Sequence, residues 1–394
     1  MAAHRQSFPT PSASNITAVE HAAGLNDYIE AGVAKAMTLN NRGPVRYDSN
    51  GELHPDILEA YWEHGFYVFE GIIAAPELAE LQADAQYLLE HAPVHSRSDV
   101  DALGRPAIRN EFTRPTFTFI KPLSDPWGGT DLLGGRHPTQ MVAPRAAGAA
   151  PEEVLFLIHG MCQVMPSGLR MYGHPDILAI AAAINGEDFT PYNDILFVKP
   201  PGLGGSVSWH QDGVTHWDSP VWDEGIHGFN FQVQLYECTP RNALWVMPGT
   251  HKLGRIDIQQ LVAENGGSEQ LPGAVPLICR PGDATIVNRQ ALHCSFANTS
   301  PNLRVSLTFG FHRRASVLGA SGALSQKANE VYDAERIFER SQIIALAIDA
   351  RAQHYPHESR FDYAPFRGLE SQYRYNETTK ETILRDYNLK DLSI

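Results

Sequence analysis

Apolar side chains recur at helical spacing near the start of the chain. In LHPDILEAYWEHGF, Ile57 and Tyr61 follow the three- to four-residue repeat of a helix, and Pro55 suits the first helical position. A second amphipathic pattern follows in APELAELQADAQYLLEHA. We therefore expect helices within 50–95, and further helices within 150–190, that pack against one sheet.

From residue 194 the pattern changes to short apolar runs that glycine, proline and asparagine separate. The runs are DILFVK, SVSWHQD, FNFQVQLYE, ALWVM, VPLIC, ATIVN, LHCSFAN and RVSLTFGF. Many short strands with frequent turns are typical of a sandwich or a barrel. The region therefore predicts a mainly β protein with flanking helices.

Two of these runs alternate polar and apolar residues. Asn230, Gln232 and Gln234 share one face of FNFQVQLY, and Arg304 shares a face of LRVSLTFGF with small hydroxyl residues. In a small barrel such faces line a polar cavity, whereas in a one-sided sheet they lie in water. Inside a cavity, an arginine of this kind would bind a carboxylate through its planar guanidinium group.

Composition narrows the class of protein. The chain has 394 residues, of which 43% are hydrophobic, and a net charge of −14. An acidic chain is a poor partner for nucleic acid or an anionic membrane, so we expect neither. No apolar stretch approaches the ~20 residues of a membrane span, and the N-terminus has no signal-peptide pattern. The four cysteines match no zinc or disulfide pattern, which favours a cytoplasmic protein with reduced thiols.

Changes in the pattern of residues along the sequence divide the chain into three parts. We expect an N-terminal extension at 1–45 with a short helix near 25–38, a main domain at 46–325 and a C-terminal helical extension at 326–394. Within the main domain, residues 96–150 are rich in glycine, proline and arginine with interleaved aromatic residues. This segment is either an irregular surface loop or a lid or wall of a pocket.

Three His-x-Asp pairs are candidates for metal binding: His54 with Asp56, His174 with Asp176, and His210 with Asp212. The first two have the form HPDIL, and a proline followed by a helical pattern, with aspartate in the first turn, is typical of a helix start. The third pair lies in the alternating run VSWHQD, where side chains two residues apart project from the same face. His210 and Asp212 are therefore placed to hold one ion.

A third ligand must come from elsewhere, and His216, His227, His251 and His293 are the candidates. The first three lie in loops or turns, which favours a turn or surface position for each. His293 lies in the short strand LHCSFAN, far along the chain, as a ligand on the opposing sheet would be. Two histidines and a carboxylate on one face of an octahedral ion leave three positions open, which is the arrangement of non-haem Fe(II) oxygenases.

These residues lie in segments that resemble the phytanoyl-CoA dioxygenase family of Fe(II)/2-oxoglutarate-dependent oxygenases. The resemblance is carried by LFVKPPGLGGSVSWHQDG, NALWVMPGTHKLG and LHCSFANTSPNLRVSLTF, and covers roughly 50–315. It implies a double-stranded β-helix (jelly-roll, cupin-like) core near 190–315. It also implies a metal triad of His210, Asp212 and His293.

The resemblance extends to the co-substrate 2-oxoglutarate. It implies that Arg304 grips the distal carboxylate of 2-oxoglutarate and that Ser295 assists. It places Gln232 where some members of the family have a tryptophan near the co-substrate, and Lys199 near the cavity. The retained Asp212 argues against a halogenase, because the related halogenases lose this carboxylate to make room for halide.

The resemblance thus implies a dioxygenase that uses Fe(II), 2-oxoglutarate and O2 to hydroxylate a C–H bond of a small-molecule metabolite, with release of succinate and CO2. Desaturation, epoxidation and ring formation stay open, as do the substrate and the oligomeric state. Two alternatives are a cupin-like metal enzyme that does not use 2-oxoglutarate and a non-catalytic jelly-roll protein that binds a small molecule.

Three segments are candidates for substrate contacts. They are the irregular region 96–150, the loop after Asp212 and the C-terminal tail. In the loop, Trp217, Trp222 and His216 either line the pocket or pack on the edge of the barrel. In the irregular region, Arg109 and Arg114 either meet an acidic substrate or lie on the surface.

Overall fold

The computed structural model describes residues 15–108, 115–323 and 329–394. Its strands are β1 (Arg42–Gly43), β2 (Phe66–Phe69), β3 (Phe117–Ile120), β4 (Val154–His159), β5 (Thr190–Lys199), β6 (Val207–His210), β7 (Phe229–Gln234), β8 (Trp245–Val246), β9 (Val275–Pro276), β10 (Ala284–Asn288), β11 (His293–Ser295) and β12 (Arg304–His312). Its α-helices are α1 (Ala18–Gly24), α2 (Asn26–Ala36), α3 (Pro55–His64), α4 (Ala75–Glu90), α5 (Met161–Val164), α6 (Pro166–Met171), α7 (Pro175–Asn185), α8 (Ile258–Glu264), α9 (Arg314–Val317), α10 (Ala334–His354) and α11 (Glu377–Thr379).

The strands form two sheets that face each other. The larger sheet has the order β1-β2-β10-β7-β12-β5-β4-β3, and the smaller has the order β6-β11-β8-β9. Pairing is antiparallel throughout, except between β1 and β2. This arrangement confirms the predicted mainly β fold with a jelly-roll core and flanking helices.

The alternation along β7 and β12 separates the core of the protein from a cavity. Phe229 and Phe231 of β7 and Leu307 of β12 are buried in the main apolar core, together with side chains of the flanking helices. Gln232 and Arg304 point the other way, into the space between the sheets, and are 8% and 3% exposed. The polar faces therefore line a cavity and do not lie in water.

Both HPDIL motifs are helix starts, as the sequence predicts. Pro55 begins α3 and Pro175 begins α7, with Asp56 and Asp176 in the first turns. Helices α3, α4, α7 and α10 supply apolar side chains to the core behind the larger sheet. The predicted helix near 25–38 and the predicted C-terminal helix are also observed, as α2 and α10.

Besides the two-residue β1, three strands of the larger sheet lie outside the region where strands were expected. β2 lies within 50–95, β3 lies within the irregular region, and β4 lies within 150–190, where only helices were predicted. FYVF in β2 and VLFLIH in β4 are nearly continuous apolar runs, and β2 is buried at every position. Such runs lack the alternation that marks a half-exposed strand, so periodicity alone cannot separate them from helix.

The N-terminal segment packs on the outer face of the smaller sheet. The ring of Tyr28 in α2 stacks on the indole of Trp245 in β8, with ring centroids 4.7 Å apart. A Cβ atom added at Gly32, one turn further along α2, would lie 2.5 Å from the same indole. The helix therefore covers apolar surface that the short strands of the smaller sheet cannot bury themselves.

No helix in the described ranges is both long enough and apolar enough to span a bilayer. Cys162, Cys238, Cys279 and Cys294 are buried free thiols, in line with the prediction from their spacing.

Candidate metal centre and its cavity

The structure brings His210, Asp212 and His293 together between the two sheets. His210 ends β6 and His293 begins β11, and the two are paired directly in register. The Nε2 atoms of His210 and His293 lie 3.6 Å from the two carboxylate oxygens of Asp212. One ligand atom from each residue lies within 4.8 Å of the others. His293 is thus on the same sheet as His210, and the expectation of a ligand on the opposing sheet is wrong.

Backbone carbonyl groups orient both imidazole rings. Nδ1 of His210 lies 2.8 Å from the carbonyl oxygen of Ser208, and Nδ1 of His293 lies 2.8 Å from that of Ala291. Each ring therefore donates from Nδ1, which leaves the lone pair of Nε2 for a metal. The carboxylate is oriented in the same way, because Asn230 donates to Asp212 Oδ2 at 2.8 Å.

The electrostatics hold Asp212 and His293 in the forms that bind metal. Burial works against ionisation of Asp212, but the charge of Arg136 outweighs it and holds the pKa of Asp212 well below its usual range. Burial and the neighbouring His210 lower the pKa of His293 to about 4. A carboxylate and neutral imidazole groups are the ligand forms, and this donor set fits Fe(II).

The residues expected to contact 2-oxoglutarate lie in the same cavity as the triad. The cavity measures about 250 Å³ and is lined by Arg304, Ser295, Gln232 and Lys199 as well as by the three candidate metal ligands. Arg304 donates to the side-chain oxygens of Gln232 and Gln234 at 2.9 and 3.3 Å, and to a backbone carbonyl at 3.2 Å. Ser295 donates to a backbone carbonyl at 3.1 Å.

Positive charge is concentrated at this end of the cavity. Lys199 is paired in register with Arg304, and its ammonium group donates to the carbonyl oxygen of Phe296 at 2.5 Å. Burial and the charge of Arg304 lower the pKa of Lys199 well below its usual value. In the described part of the chain, every hydrogen-bond acceptor of Arg304 and Lys199 is a neutral group. The arrangement is suited to an anion.

The distance between the metal centre and Arg304 can be estimated from the spacing of residues along β7. Asn230 contacts Asp212 and Gln232 contacts Arg304, and the two residues are neighbours on the cavity face of β7. Residues two apart along a strand are separated by about 7 Å. A five-carbon dicarboxylate can bridge two groups at this separation.

One wall of the cavity comes from the irregular region. Trp127, Leu132, Leu133 and Arg136 line it, so this region forms a pocket wall, which is one of its two predicted roles. His137 lies just behind this wall, fully buried, with its ring stacked on His210 at a centroid distance of 4.1 Å. Arg136 and His137 escaped prediction because their loop has no period that reveals which side chains face inward.

Two strands that were not predicted, β3 and β4, contribute a further part of the cavity wall next to β5. Leu157 and His159 of β4 and Thr118 of β3 line the cavity together with Ile195 and Phe197 of β5. Thr118 Oγ1 lies 2.9 Å from Nε2 of His159. These contacts could not be assigned from sequence, because the strands that carry them were not expected.

The loop after Asp212 does not line the cavity. Its backbone turns away, because the N–H groups of Asp212 and Gly213 both donate to the carbonyl oxygen of Arg289. Trp217 packs on the ring of His227 at 4.6 Å, and Trp222 lies in a separate surface groove. The cavity lining likewise omits His216, so these aromatic residues pack on the edge of the barrel.

The remaining candidates have structural roles or lie outside the described ranges. His227 and His251 are fully buried, which corrects their expected surface position. Nδ1 of His227 lies 2.9 Å from the side-chain oxygen of Gln290, and Nε2 of His251 lies 3.1 Å from the carbonyl oxygen of Trp62. The described residues of the C-terminal tail do not line the cavity. Arg109 and Arg114 are outside the described residues.

Comparisons with known proteins identify the family of the chain. The family model of phytanoyl-CoA dioxygenase (PhyH) matches residues 61–306. Phytanoyl-CoA dioxygenase 1 of Oryza sativa subsp. japonica is 32% identical over 117 residues, which are 28% of this chain and 40% of that protein's length. Phytanoyl-CoA dioxygenase domain-containing protein 1 of Rattus norvegicus is 20% identical over 304 residues, which are 71% of this chain and 97% of that protein.

Solved structures of similar proteins include EctD from S. alaskensis with 2-oxoglutarate and 5-hydroxyectoine. It has a TM-score of 0.47 and 19% identity, and the alignment covers 70% of this chain and 81% of EctD. The non-haem α-ketoglutarate-dependent epimerase SnoN from nogalamycin biosynthesis has a TM-score of 0.42 and 18% identity, over 66% of this chain and 84% of SnoN. The family model matches more than half of the length of this chain. The chain therefore belongs to the phytanoyl-CoA dioxygenase family of iron- and 2-oxoglutarate-dependent oxygenases.

Proposed function

We propose that the protein is an Fe(II)- and 2-oxoglutarate-dependent dioxygenase that hydroxylates a C–H bond of a small-molecule metabolite. The observation that supports this proposal is a cluster of two histidines and an aspartate that shares one cavity with the buried guanidinium group of Arg304. His210, Asp212 and His293 would hold the iron. Bound iron, with 2-oxoglutarate and O2, would supply the oxidising chemistry that yields succinate, CO2 and the hydroxylated product.

Arg304 would bind the distal carboxylate of 2-oxoglutarate. Its guanidinium group is already oriented by Gln232 and Gln234, so little side-chain entropy is lost when the anion binds. Lys199 and Ser295 line the same end of the cavity and would add hydrogen-bond donors. The separation along β7 supports a co-substrate that reaches from Arg304 to the metal.

The apolar wall would hold the substrate beside the metal and exclude water. Trp127, Leu132 and Leu133 contribute to this wall, together with Leu157 and Phe197. A dry site strengthens the electrostatic contacts of the charged groups and protects reactive species from side reactions. The small volume of the cavity favours a compact metabolite over a large conjugate such as a CoA thioester.

The proposal is tested by the release of succinate from 2-oxoglutarate in air, with Fe(II), in the presence and absence of a library of small metabolites. We expect metabolites that serve as substrates to stimulate release. Asp212→Ala should reduce release at least about 100-fold, because loss of a metal-binding side chain impairs metal retention. Bound iron is quantified in parallel, together with the visible absorbance band that forms when 2-oxoglutarate binds Fe(II) without oxygen.

The chain offers a matched control for this variant. Asp176 belongs to a His-x-Asp pair of the same spacing, but it lies at the start of α7 and accepts a hydrogen bond from Tyr47. Asp176→Ala should therefore leave iron content and succinate release unchanged. Unchanged turnover in Asp212→Ala would contradict the proposal. Iron binding without any effect of 2-oxoglutarate would favour a cupin-like metal enzyme, and no iron binding would favour a binding protein.

A further inference from the structure

Arg136 places a positive charge beside the metal centre, far from the end where Arg304 lies. Its Nη1 atom lies 3.2 Å from Asp212 Oδ1 and donates to the backbone carbonyl of Asp212 at 3.0 Å. The side chain lines the cavity, and its Nε atom is buried without a hydrogen-bond partner in the described part of the chain. One edge of the guanidinium group thus contacts Asp212, and the other N–H groups of Arg136 remain available to donate to another acceptor.

The position of Arg136 is set by an unusual turn. The 3₁₀ segment Leu132–Gly135 precedes it, and both Leu133 and Gly134 adopt left-handed backbone conformations, with φ of 52° and 72°. For leucine this conformation is costly, and such residues concentrate at binding and active sites. The turn presents Leu132, Leu133 and Arg136 to the cavity, so an apolar surface and a cation lie side by side.

The charge of the cavity exceeds what iron and 2-oxoglutarate would neutralise. Arg136, Lys199 and Arg304 line the cavity, and Asp212 is the single acidic residue among the described residues that do so. Iron(II) and 2-oxoglutarate carry equal and opposite charges, so binding both leaves the positive excess in place. This holds even with Lys199 neutral. The excess contrasts with the net charge of −14 of the whole chain.

We propose that Arg136 binds an acidic group of the substrate, so that the substrate is a small organic acid with an apolar body. The carboxylate would contact the free edge of the Arg136 guanidinium, and the apolar body would contact Trp127, Leu132 and Leu133. The inference rests on the proposed function and names the substrate class for that site. The other possible source of the same carboxylate chemistry is the metal-proximal end of 2-oxoglutarate, and the experiment separates the two.

The experiment compares small carboxylic acids that have apolar bodies, such as phenylacetate and 4-methylpentanoate, with their primary amides. Binding to the protein with Fe(II) and 2-oxoglutarate is measured by calorimetry without oxygen, and stimulated succinate release is measured in air. We expect the acids to bind about tenfold or more tightly than the matched amides, since a charged bidentate contact is lost in the amide. The ratio of the amide Kd to the acid Kd does not depend on the absolute activity of a variant.

Substitution of Arg136 tests the assignment to this residue. Arg136→Gln should reduce the acid-to-amide ratio to near one, and Arg136→Lys, which keeps the charge but not the planar fork, should retain part of it. Arg145→Gln is the matched control, because Arg145 is an exposed arginine of the same region. Its ratio should equal that of the unmodified protein.

Several results would overturn the proposal. The amides could bind as tightly as the acids, or none of the acids could bind at millimolar concentration. The preference for acids could also persist in Arg136→Gln. A further one is an increase in the Kd for 2-oxoglutarate in Arg136→Gln with the acid preference intact, which would assign Arg136 to the co-substrate. Failure of the unmodified protein to bind 2-oxoglutarate would instead contradict the proposed function itself.

Discussion

At the scale of single residues, one end of the cavity contains a buried guanidinium group that neutral groups orient. Arg304 donates to two glutamine side chains and one backbone carbonyl, and no acidic side chain shares these contacts in the described chain. A buried guanidinium with neutral partners keeps its charge available for an incoming anion. The contacts also fix the plane of the guanidinium group, which favours a two-point contact with a carboxylate.

Replacement of Arg304 should therefore weaken 2-oxoglutarate binding more than it affects the fold of the metal centre. We expect Arg304→Gln to raise the KM for 2-oxoglutarate at least about thirtyfold, or about 2 kcal/mol, and Arg304→Lys to raise it less. Iron content should be retained, because Arg304 does not contact the triad. Arg280→Gln, at an exposed arginine on the loop before β10, is the control. An unchanged KM in Arg304→Gln would remove this residue from the co-substrate site.

At the scale of elements, the smaller sheet needs a partner outside its own strands. Its strands are short, and its outer apolar face is covered by α2 through Tyr28 and the close approach at Gly32. The same sheet carries His210 and His293 on its inner face. Packing of the N-terminal helix thus supports the strands that position two candidate metal ligands.

A pair of glycine substitutions tests this packing. Gly32→Ala should lower the free energy of unfolding by about 1–3 kcal/mol, because the new Cβ would lie 2.5 Å from the rigid indole of Trp245. This loss opposes the gain that alanine normally brings to a helix. Gly24→Ala, in α1, meets no atom within 4 Å and should be neutral or slightly stabilising. Equal stabilities of the two variants in urea unfolding would show that α2 does not press on the sheet.

At the scale of the whole molecule, several buried histidines make stability depend on pH. His174 lies between α4 and α10, where Glu77 is 3.8 Å away and pairs with Arg351. Burial and the charge of Arg351 lower the pKa of His174 to about 3. Burial likewise lowers the pKa of His227 to about 4. These side chains are neutral in the folded protein under conditions where they take up a proton in the unfolded chain.

The sign of the pH dependence follows from these directions. Above a pH of about 6.5 a histidine is neutral in both states, and its contribution is constant. As the pH falls towards 3, the unfolded chain binds a proton that folded His174 excludes, so the free energy of unfolding falls by up to about 1.4 kcal/mol per pH unit. Urea unfolding of the metal-free protein between pH 7 and 5 should show this fall. His174→Gln should reduce the slope of the free energy of unfolding against pH by the equivalent of about one proton. An identical slope in the variant would exclude His174 as its source.

The sequence by itself determined the features that one element can carry. Alternation in β7 and β12 revealed which side chains share the cavity face, and proline before a helical pattern separated two helix starts from the pair His210 and Asp212. Both kinds of signal are local, because they depend on the direction in which neighbouring side chains point along one strand or helix.

Only the tertiary structure decided which elements meet. It placed His293 beside His210 on the same sheet, extended the larger sheet with β2, β3 and β4, and brought Arg136 from an irregular turn to the metal centre. Continuous apolar runs and loops have no period that identifies an inward face, and the contacts of Arg136 join residues far apart in sequence. The candidate metal ligands could thus be predicted from local pattern, whereas the wall that would select the substrate was set by long-range packing.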